Sequence, residues 1–217
     1  MRLFDCRKVG ERDSGLKAAT SAVRAGDLVV LPTDTVYGLG ADAFKSWSVD
    51  ALLRTKNRGR DMAPPVLVGS RKALDGLTIS VPNMVQDLVA AFWPGPLTVV
   101  MHYSPTLQWN LGDTDGTVAV RMPLHPLAIE LLNETGPMAV SSANKTGQPP
   151  ASTAAEAKEG LGYAVSVYLE AGPSPSTAPS TIVDCTGENP QVLREGALSL
   201  EQLRRVWPGT LGPEEEP

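Results

Sequence analysis

Four cations alternate along Arg54-Thr55-Lys56-Asn57-Arg58-Gly59-Arg60, with no acid between Asp50 and Asp61. A cluster of this kind repels itself, so a ligand with several negative charges is its natural counter-ion. If the stretch past the helix is extended, a period of two points its later cations to one side. A solvated basic loop is the alternative reading of any charge run. Here Gly59, Pro64 and Pro65 suggest a constrained loop, which favours phosphate.

A second stretch, Pro32-Thr33-Asp34-Thr35-Val36-Tyr37-Gly38-Leu39-Gly40, leaves the end of an apolar run at 28–31. Open α/β sheets commonly place ligands at such strand ends. Two threonine hydroxyls and a tyrosine there could orient a small polar substrate, or simply cap a turn. A third stretch, Ser141-Ser142-Ala143-Asn144-Lys145-Thr146-Gly147, carries hydroxyl, amide and backbone donors suited to an anion-binding nest. Arg121 and Arg194 fall at the ends of two further strand-like runs.

Other chemistries find less support. Residues 10–17 look faintly like a phosphate loop, but Leu16 separates glycine from lysine and no Ser or Thr follows. Gly38-Leu39-Gly40 matches only the loosest dinucleotide fingerprint, since 33–37 intervene after the strand and the next helix starts near Ser48. His102 and His125 are the only histidines, no Gly-x-Ser-x-Gly elbow occurs, and no close acid pair suggests a metal cage. His125 reads as the start of a helix. Cys6 and Cys185 lie far apart in no metal-ligand spacing and read as reduced thiols.

The elements that must position these residues alternate between strand and helix. Runs at 28–31, 66–68, 97–101, 117–121, 138–142, 165–169, 181–185 and 191–194 read as strands. Helices are expected from Ser48 as N-cap, from Ser70, over 83–91 with Val85, Leu88, Val89 and Phe92 on one face, and over 127–132. Thr153 with Glu156, and Ser199 with Gln202, read as capping boxes opening two more. The Pro- and Ser-rich stretch 172–179 and the tail from Gly209 are expected to be mobile. This pattern predicts one α/β domain over 1–208 and a disordered acidic tail over 209–217.

Composition sets wider bounds. The chain has 217 residues, with 20 Gly and 19 Pro, about 18% together against roughly 12% in average proteins. Net charge is −5, which excludes an all-over basic coat, and Glu214, Glu215 and Glu216 supply three of the negatives. Aromatics are 5% and are not interleaved with the basic cluster, which argues against stacking on single-stranded RNA. The N-terminus lacks the apolar segment of a secretory signal and no apolar run is long enough to span a bilayer, so a soluble cytoplasmic protein with no membrane partner is expected.

Six stretches follow one another along the chain: 32–40, Lys56-Asn57-Arg58, Phe92-Trp93-Pro94-Gly95-Pro96-Leu97-Thr98, Val120-Arg121-Met122-Pro123, Ser142-Ala143-Asn144 and Ser180-Thr181-Ile182-Val183-Asp184. Over about 26–196 this ordered set resembles the YrdC/TsaC family, the threonylcarbamoyl-AMP synthases, in its short single-domain type. The resemblance implies a twisted mixed β-sheet with surrounding helices and a positively lined concave cavity. It also implies a reaction joining L-threonine, bicarbonate or CO2 and ATP into threonylcarbamoyl-AMP with release of diphosphate. Downstream transferase machinery then moves the threonylcarbamoyl group to an adenosine of tRNAs reading codons that begin with A.

By the same resemblance, Lys56, Arg58, Ser142 and Asn144 form the catalytic set that holds phosphates and carbamate. Thr117, Ser152 and Arg194 join Lys56, Arg58 and Asn144 around ATP, while Thr33, Arg121, Ser142 and Ser180 bind threonine. Arg121 would take its carboxylate in a bidentate pair. Mg2+ is expected to be held mainly by the nucleotide, with no protein metal site. Many members carry Lys-Gly-Arg-Pro followed soon by Lys-Pro-Leu, whereas Asn57, Gly59, Met62, Ala63 and Pro64 stand here. Two rival expectations are a non-catalytic double-stranded RNA or tRNA-binding module, for which weak RNA binding suffices, and a paralogue with another carbamoyl acceptor.

Overall fold

A computed structural model describes residues 1–176 and 178–214. The chain runs β1 (Arg2–Asp5), α1 (Val9–Ala25), β2 (Val29–Leu31), β3 (Gly38–Asp42), α2 (Ser46–Thr55), β4 (Val66–Leu67), α3 (Ala73–Leu77) and α4 (Asn83–Phe92). It continues through β5 (Leu97–His102), β6 (Thr117–Arg121), α5 (Pro126–Thr135), β7 (Met138–Ser142) and α6 (Ala154–Leu161). Then come β8 (Val167–Glu170), β9 (Thr181–Asp184), β10 (Gln191–Arg194) and α7 (Leu200–Val206).

All ten strands join one sheet in the order β1-β8-β2-β3-β7-β4-β6-β5-β9-β10. Pairing is mixed: β2/β3, β3/β7, β4/β7 and β5/β6 are antiparallel, while β4/β6 and β5/β9 are parallel. The fold is therefore mixed α/β, as the alternation of patterns implies. The strand period of two distributes the core. Val29 and Leu31 of β2 pack with α1 and α5, whereas Val30 packs with residues of α2 and α6 on the opposite face. Among the described residues, no helix is long and apolar enough to cross a membrane.

Local signals explain most boundaries. Gly26 ends α1 in the left-handed region at φ 91°, returning its N–H to Val23 and Ala22 carbonyls. Ser199 and Gln202 form a complete capping box at α7. At α6, Thr153 accepts the Glu156 N–H, but the Glu156 carboxylate takes the Ser152 N–H at 2.7 Å instead of closing the box. Ser48 is not the cap of α2, which begins two residues earlier, after Lys45. His125 does stand at the N-cap position of α5.

Three elements lack a strong sequence pattern. Both β1 and α1 precede the first clear apolar run, and residues 10–17 prove to be helical. Strand β3 hides because it is buried on both faces and includes two glycines. Those glycines are required by β7: a Cβ on Gly38 would lie 2.5 Å from Val140 Cγ1, and one on Gly40 would lie 2.7 Å from Met138 Cε. At the chain end, Thr210 is buried and Leu211 exchanges backbone bonds with Pro190 and Val192. Of the expected tail, 215–217 lie outside the described residues, as does Thr177 within the stretch 172–179.

The close approach at Gly38 gives a first prediction. Gly38→Val should overpack the β3/β7 contact and lower unfolding free energy by about 1–3 kcal/mol. Urea denaturation measures it, and an unchanged midpoint would show that β7 yields freely.

Candidate functional site

Loops and strand ends from across the sheet meet around a cavity of about 570 Å³. Its wall includes Thr33, Thr35 and Tyr37 from the β2–β3 loop, Arg58, Asp61 and Met62 after α2, and Arg121 at the end of β6. Ser141 and Ser142 at the end of β7, Thr98 on β5, Ser180 before β9 and Arg194 on β10 complete its polar side. Sheet register assembles part of this, since Ile182 pairs with Thr98 on one side and Arg194 on the other. Gly38 pairs with Ser142, which brings the second and third sequence stretches together.

Arg121 is 6% exposed. Its Nε donates to the Gly95 carbonyl at 3.0 Å, Nη1 to Thr35 Oγ1 at 2.9 Å, and Nη2 to Asp34 Oδ1 at 2.6 Å. Asp34 also accepts the Leu124 N–H at 2.8 Å. A guanidinium has five N–H groups, so two remain for a ligand. Burial lowers the Arg121 pKa while Asp34 opposes the shift. The turn of residues 93–96, with a cis Trp93–Pro94 bond, therefore supplies an acceptor to the site through Gly95.

Lys56 is fully buried behind the cavity wall. Its ammonium donates to the carbonyls of Ser142 and of Asn144, the latter at 2.6 Å, with Ser142 Oγ at 3.4 Å. Burial, helped by the neighbouring Arg58 charge, brings its pKa down to about 7. Arg58 spans to Thr146 Oγ1 at 3.1 Å and Ser141 Oγ at 3.0 Å, and burial lowers its pKa too.

The expected one-sided row of cations does not form. Asn57 sits at φ 55°, a left-handed conformation that asparagine tolerates and that matches the glycine usual there in the resembled motif. This turn separates the directions of Lys56 and Arg58, while Arg60 goes outward to Asp50 at 2.8 Å and to Asn110.

Arg194 donates to the Ser180 carbonyl from Nη2 at 2.7 Å, and Ser180 Oγ lies 2.8 Å from Thr98 Oγ1. Burial and the Arg58 charge lower the Arg194 pKa, and Arg194 in turn opposes protonation of Arg121. The three guanidinium groups thus feel one another around one space. Thr33 lines it, but its hydroxyl is engaged locally, donating to the Val36 carbonyl at 2.7 Å and accepting the Thr35 N–H at 3.1 Å. Asn144 Nδ2 donates to the Lys145 and Gln148 carbonyls, and its Oδ1 is buried with no partner among the described residues. That oxygen is an acceptor, suited to a ligand N–H, hydroxyl or cation rather than to a phosphate oxygen.

Four expected residues do not line the cavity: Lys56 and Asn144, described above, and Thr117 and Ser152. Thr117 starts β6, about 13 Å from Arg121 at strand rise, and its hydroxyl bonds to the Thr114 carbonyl at 2.7 Å. Ser152 is exposed beside the wall residue Pro150, with its carbonyl accepting the Ser174 N–H at 2.8 Å. Sequence reasoning passed over Asp34, Thr35, Asp61 and Ser141 as individual site residues. Three of them lay inside the quoted stretches, but only folding shows that Asp34 and Thr35 clasp Arg121.

This mixed α/β fold is shared with the Sua5 and YciO structures. P. abyssi Sua5 complexed with L-threonine superposes with a TM-score of 0.85 and 33% identity, covering 91% of this chain and 58% of that one. E. coli YciO superposes at 0.80 with 24% identity, covering 93% and 96%, and shares the fold. A putative threonylcarbamoyl-AMP synthase of Mycobacterium tuberculosis is 56% identical over 203 residues, 94% of each chain. The family model described as "Telomere recombination" matches residues 21–196, and the chain belongs to this Sua5/YciO/YrdC family.

Lys56 generates a second prediction. A polyanion in the cavity restores the preference for its ammonium form, so binding takes up protons above pH about 7. The contribution of Lys56 to affinity is full below pH 7 and falls as pH rises through the higher pKa of the complex. Calorimetry of tripolyphosphate binding at pH 8, in buffers of different ionisation enthalpy, should show more proton uptake by wild type than by Lys56→Met. Equal uptake would remove Lys56 from the electrostatics of the site.

Proposed function

We propose that the chain is a threonylcarbamoyl-AMP synthase, converting L-threonine, bicarbonate or CO2 and ATP to threonylcarbamoyl-AMP and diphosphate. The carrying observation is the convergence of Arg58, Arg121 and Arg194 on one cavity that also presents the hydroxyls of Thr33, Ser142 and Ser180. With Arg121 set against Asp34, Arg58 and Arg194 still outnumber the wall carboxylate of Asp61, which supports a positively lined space. Family membership and the relatives named threonylcarbamoyl-AMP synthase support the reading.

In this scheme the threonine amine adds to CO2 and gives up a proton to bicarbonate or solvent, leaving a carbamate. A carbamate oxygen attacks the α-phosphorus of ATP, an O–P bond forms, and the bond from that phosphorus to the β,γ-bearing oxygen breaks. Diphosphate leaves with the electron pair. Carbamate, carboxylate and triphosphate are all anionic, so the protein works mainly by positioning and by neutralising charge.

The two free N–H groups of Arg121 take the threonine carboxylate. Thr33, Ser142 and Ser180 surround the amino acid, with Thr33 acting through the loop that its hydroxyl closes. Arg58 and Arg194 take phosphate oxygens, Lys56 adds its charge from behind the Ser142–Asn144 turn, and Asn144 Oδ1 accepts the carbamate N–H. Ser152 at the rim lies towards the nucleoside, and Thr117 receives no contact in this arrangement.

Magnesium enters as the counter-ion of ATP. It would be held mainly by the oxygens of the nucleotide together with water, as Mg2+ commonly is beside phosphates. A cytoplasmic setting supplies ATP and bicarbonate, and transfer to tRNA falls to downstream machinery.

Diphosphate release by the purified protein tests the reading, and release that does not require both L-threonine and bicarbonate would overturn it. Arg58→Ala should suppress turnover at least tenfold with the fold intact. Arg121→Lys keeps the charge but loses the planar fork. It should raise the threonine KM more than the ATP KM, and an unchanged threonine KM would remove Arg121 from the substrate contact.

A further inference from the structure

A buried carboxylate outside the motifs ties together three walls of the cavity. Glu170, the last residue of β8, is 7% exposed. Its Oε2 accepts the N–H of Ala154 at 3.0 Å and of Ala155 at 3.3 Å, the first two residues of α6. Its Oε1 accepts the Gly172 N–H at 2.6 Å and the Tyr37 hydroxyl lies 3.1 Å away. That hydroxyl is also 2.7 Å from the Gly172 carbonyl and accepts the Ala171 N–H at 3.0 Å. Burial raises the Tyr37 pKa, which keeps the phenol protonated as a donor.

Among the described residues no cation pairs with Glu170. Its negative charge is met by backbone N–H groups and one phenol, and two of those N–H groups open a helix, where the peptide dipoles favour an anion. Each partner belongs to a different part of the site. Tyr37 lies on the wall and ends the loop that carries Thr33, Asp34 and Thr35. Ala154 follows the 150–153 segment, in which Pro150 lies on the wall and Ser152 stands at the rim. Gly172 begins the connection that ends in the wall residues Pro179 and Ser180.

We infer that Glu170 is a positioning residue: its carboxylate sets the spacing of the Tyr37 loop, the start of α6 and the connection to β9, and so the width of the cavity between them. The kinetic part rests on the synthase reading, whereas the structural part does not. A neutral side chain of the same shape removes half of the acceptor capacity and turns an amide N–H towards backbone N–H groups. The core on either side of β8 stays packed, because Leu169 and Tyr168 remain in place.

Glu170→Gln and Tyr37→Phe test this by hydrogen exchange without ligand and by steady-state kinetics. In Glu170→Gln, the amides of Ala154, Ala155 and Gly172 should exchange at least tenfold faster while those of β3 and β7 keep wild-type protection. The threonine KM and the ATP KM should both rise, each at least fivefold, since the held segments lead to Thr33 and Ser180 on one side and to Ser152 on the other. Tyr37→Phe should speed exchange at Ala171 and Gly172 but leave Ala154 and Ala155 unchanged. Unchanged exchange at the three amides in Glu170→Gln, or equal loss of protection throughout the sheet, would overturn the positioning role. Faster exchange with both KM values unchanged would overturn its control of the cavity width. Wild-type protein that releases no diphosphate would instead defeat the synthase reading, and ligand-free exchange would still decide whether Glu170 holds the walls.

Discussion

The burial of the Arg121 guanidinium constrains the site more than any other single feature. A charge withdrawn from water must find acceptors at fixed positions, and removing one partner of a buried pair leaves the other uncompensated, at a cost of about 3–5 kcal/mol. Here the acceptors come from Asp34 and Thr35 on the β2–β3 loop and from Gly95 in the turn before β5. Neither segment neighbours β6 in sequence. The three become one rigid corner because their polar atoms have no better partners, and the corner leaves two N–H groups unspent.

Around that corner, cations are held near one another with few acids to relieve them. Lys56 and Arg58 diverge at the left-handed Asn57, one entering the protein beneath the Ser142–Asn144 turn and the other facing the cavity. Burial depresses the pKa of Lys56, Arg58 and Arg194, and the Arg58 charge adds to the shift at Lys56 and Arg194. A site in this state is preorganised for polyanions, because ligand charge relieves strain that the fold already holds. Glu170 performs the opposite task on the far wall, where an anion gathers N–H groups and keeps loop ends in place without adding a cation.

Several departures from the commoner motif gain physical meaning in this setting. Asn57 adopts the backbone conformation that glycine would otherwise supply. Gly59 lets the Asp61 carboxylate fold back over the chain, since a Cβ there would lie 2.3 Å from Asp61 Oδ1. Arg60, drawn outward by Asp50 and Asn110, anchors the same loop from outside. Thus the segment after α2 presents Arg58, Asp61 and Met62 to the cavity while Arg60 faces solvent.

The sequence by itself determined the strands with dense apolar runs, such as β6, β7 and β10, whose bounds match their patterns, and the capping box of α7. It also marked three stretches, two suited to an anion and one to a small polar substrate, that all contribute residues to one cavity wall, because residue type and local spacing carry that information. Strand β3 was illegible, since a strand buried on both faces and containing two close-packed glycines has no alternation to display. The partners of Arg121, the separation of Lys56 from the cavity wall, the outward turn of Arg60, the rim and far-end positions of Ser152 and Thr117, and the Glu170 junction came only from tertiary structure. Each depends on which atoms meet across strands that are neighbours in the sheet but distant in the chain. Local physical chemistry names the groups able to act, and long-range packing decides which of them face the same space.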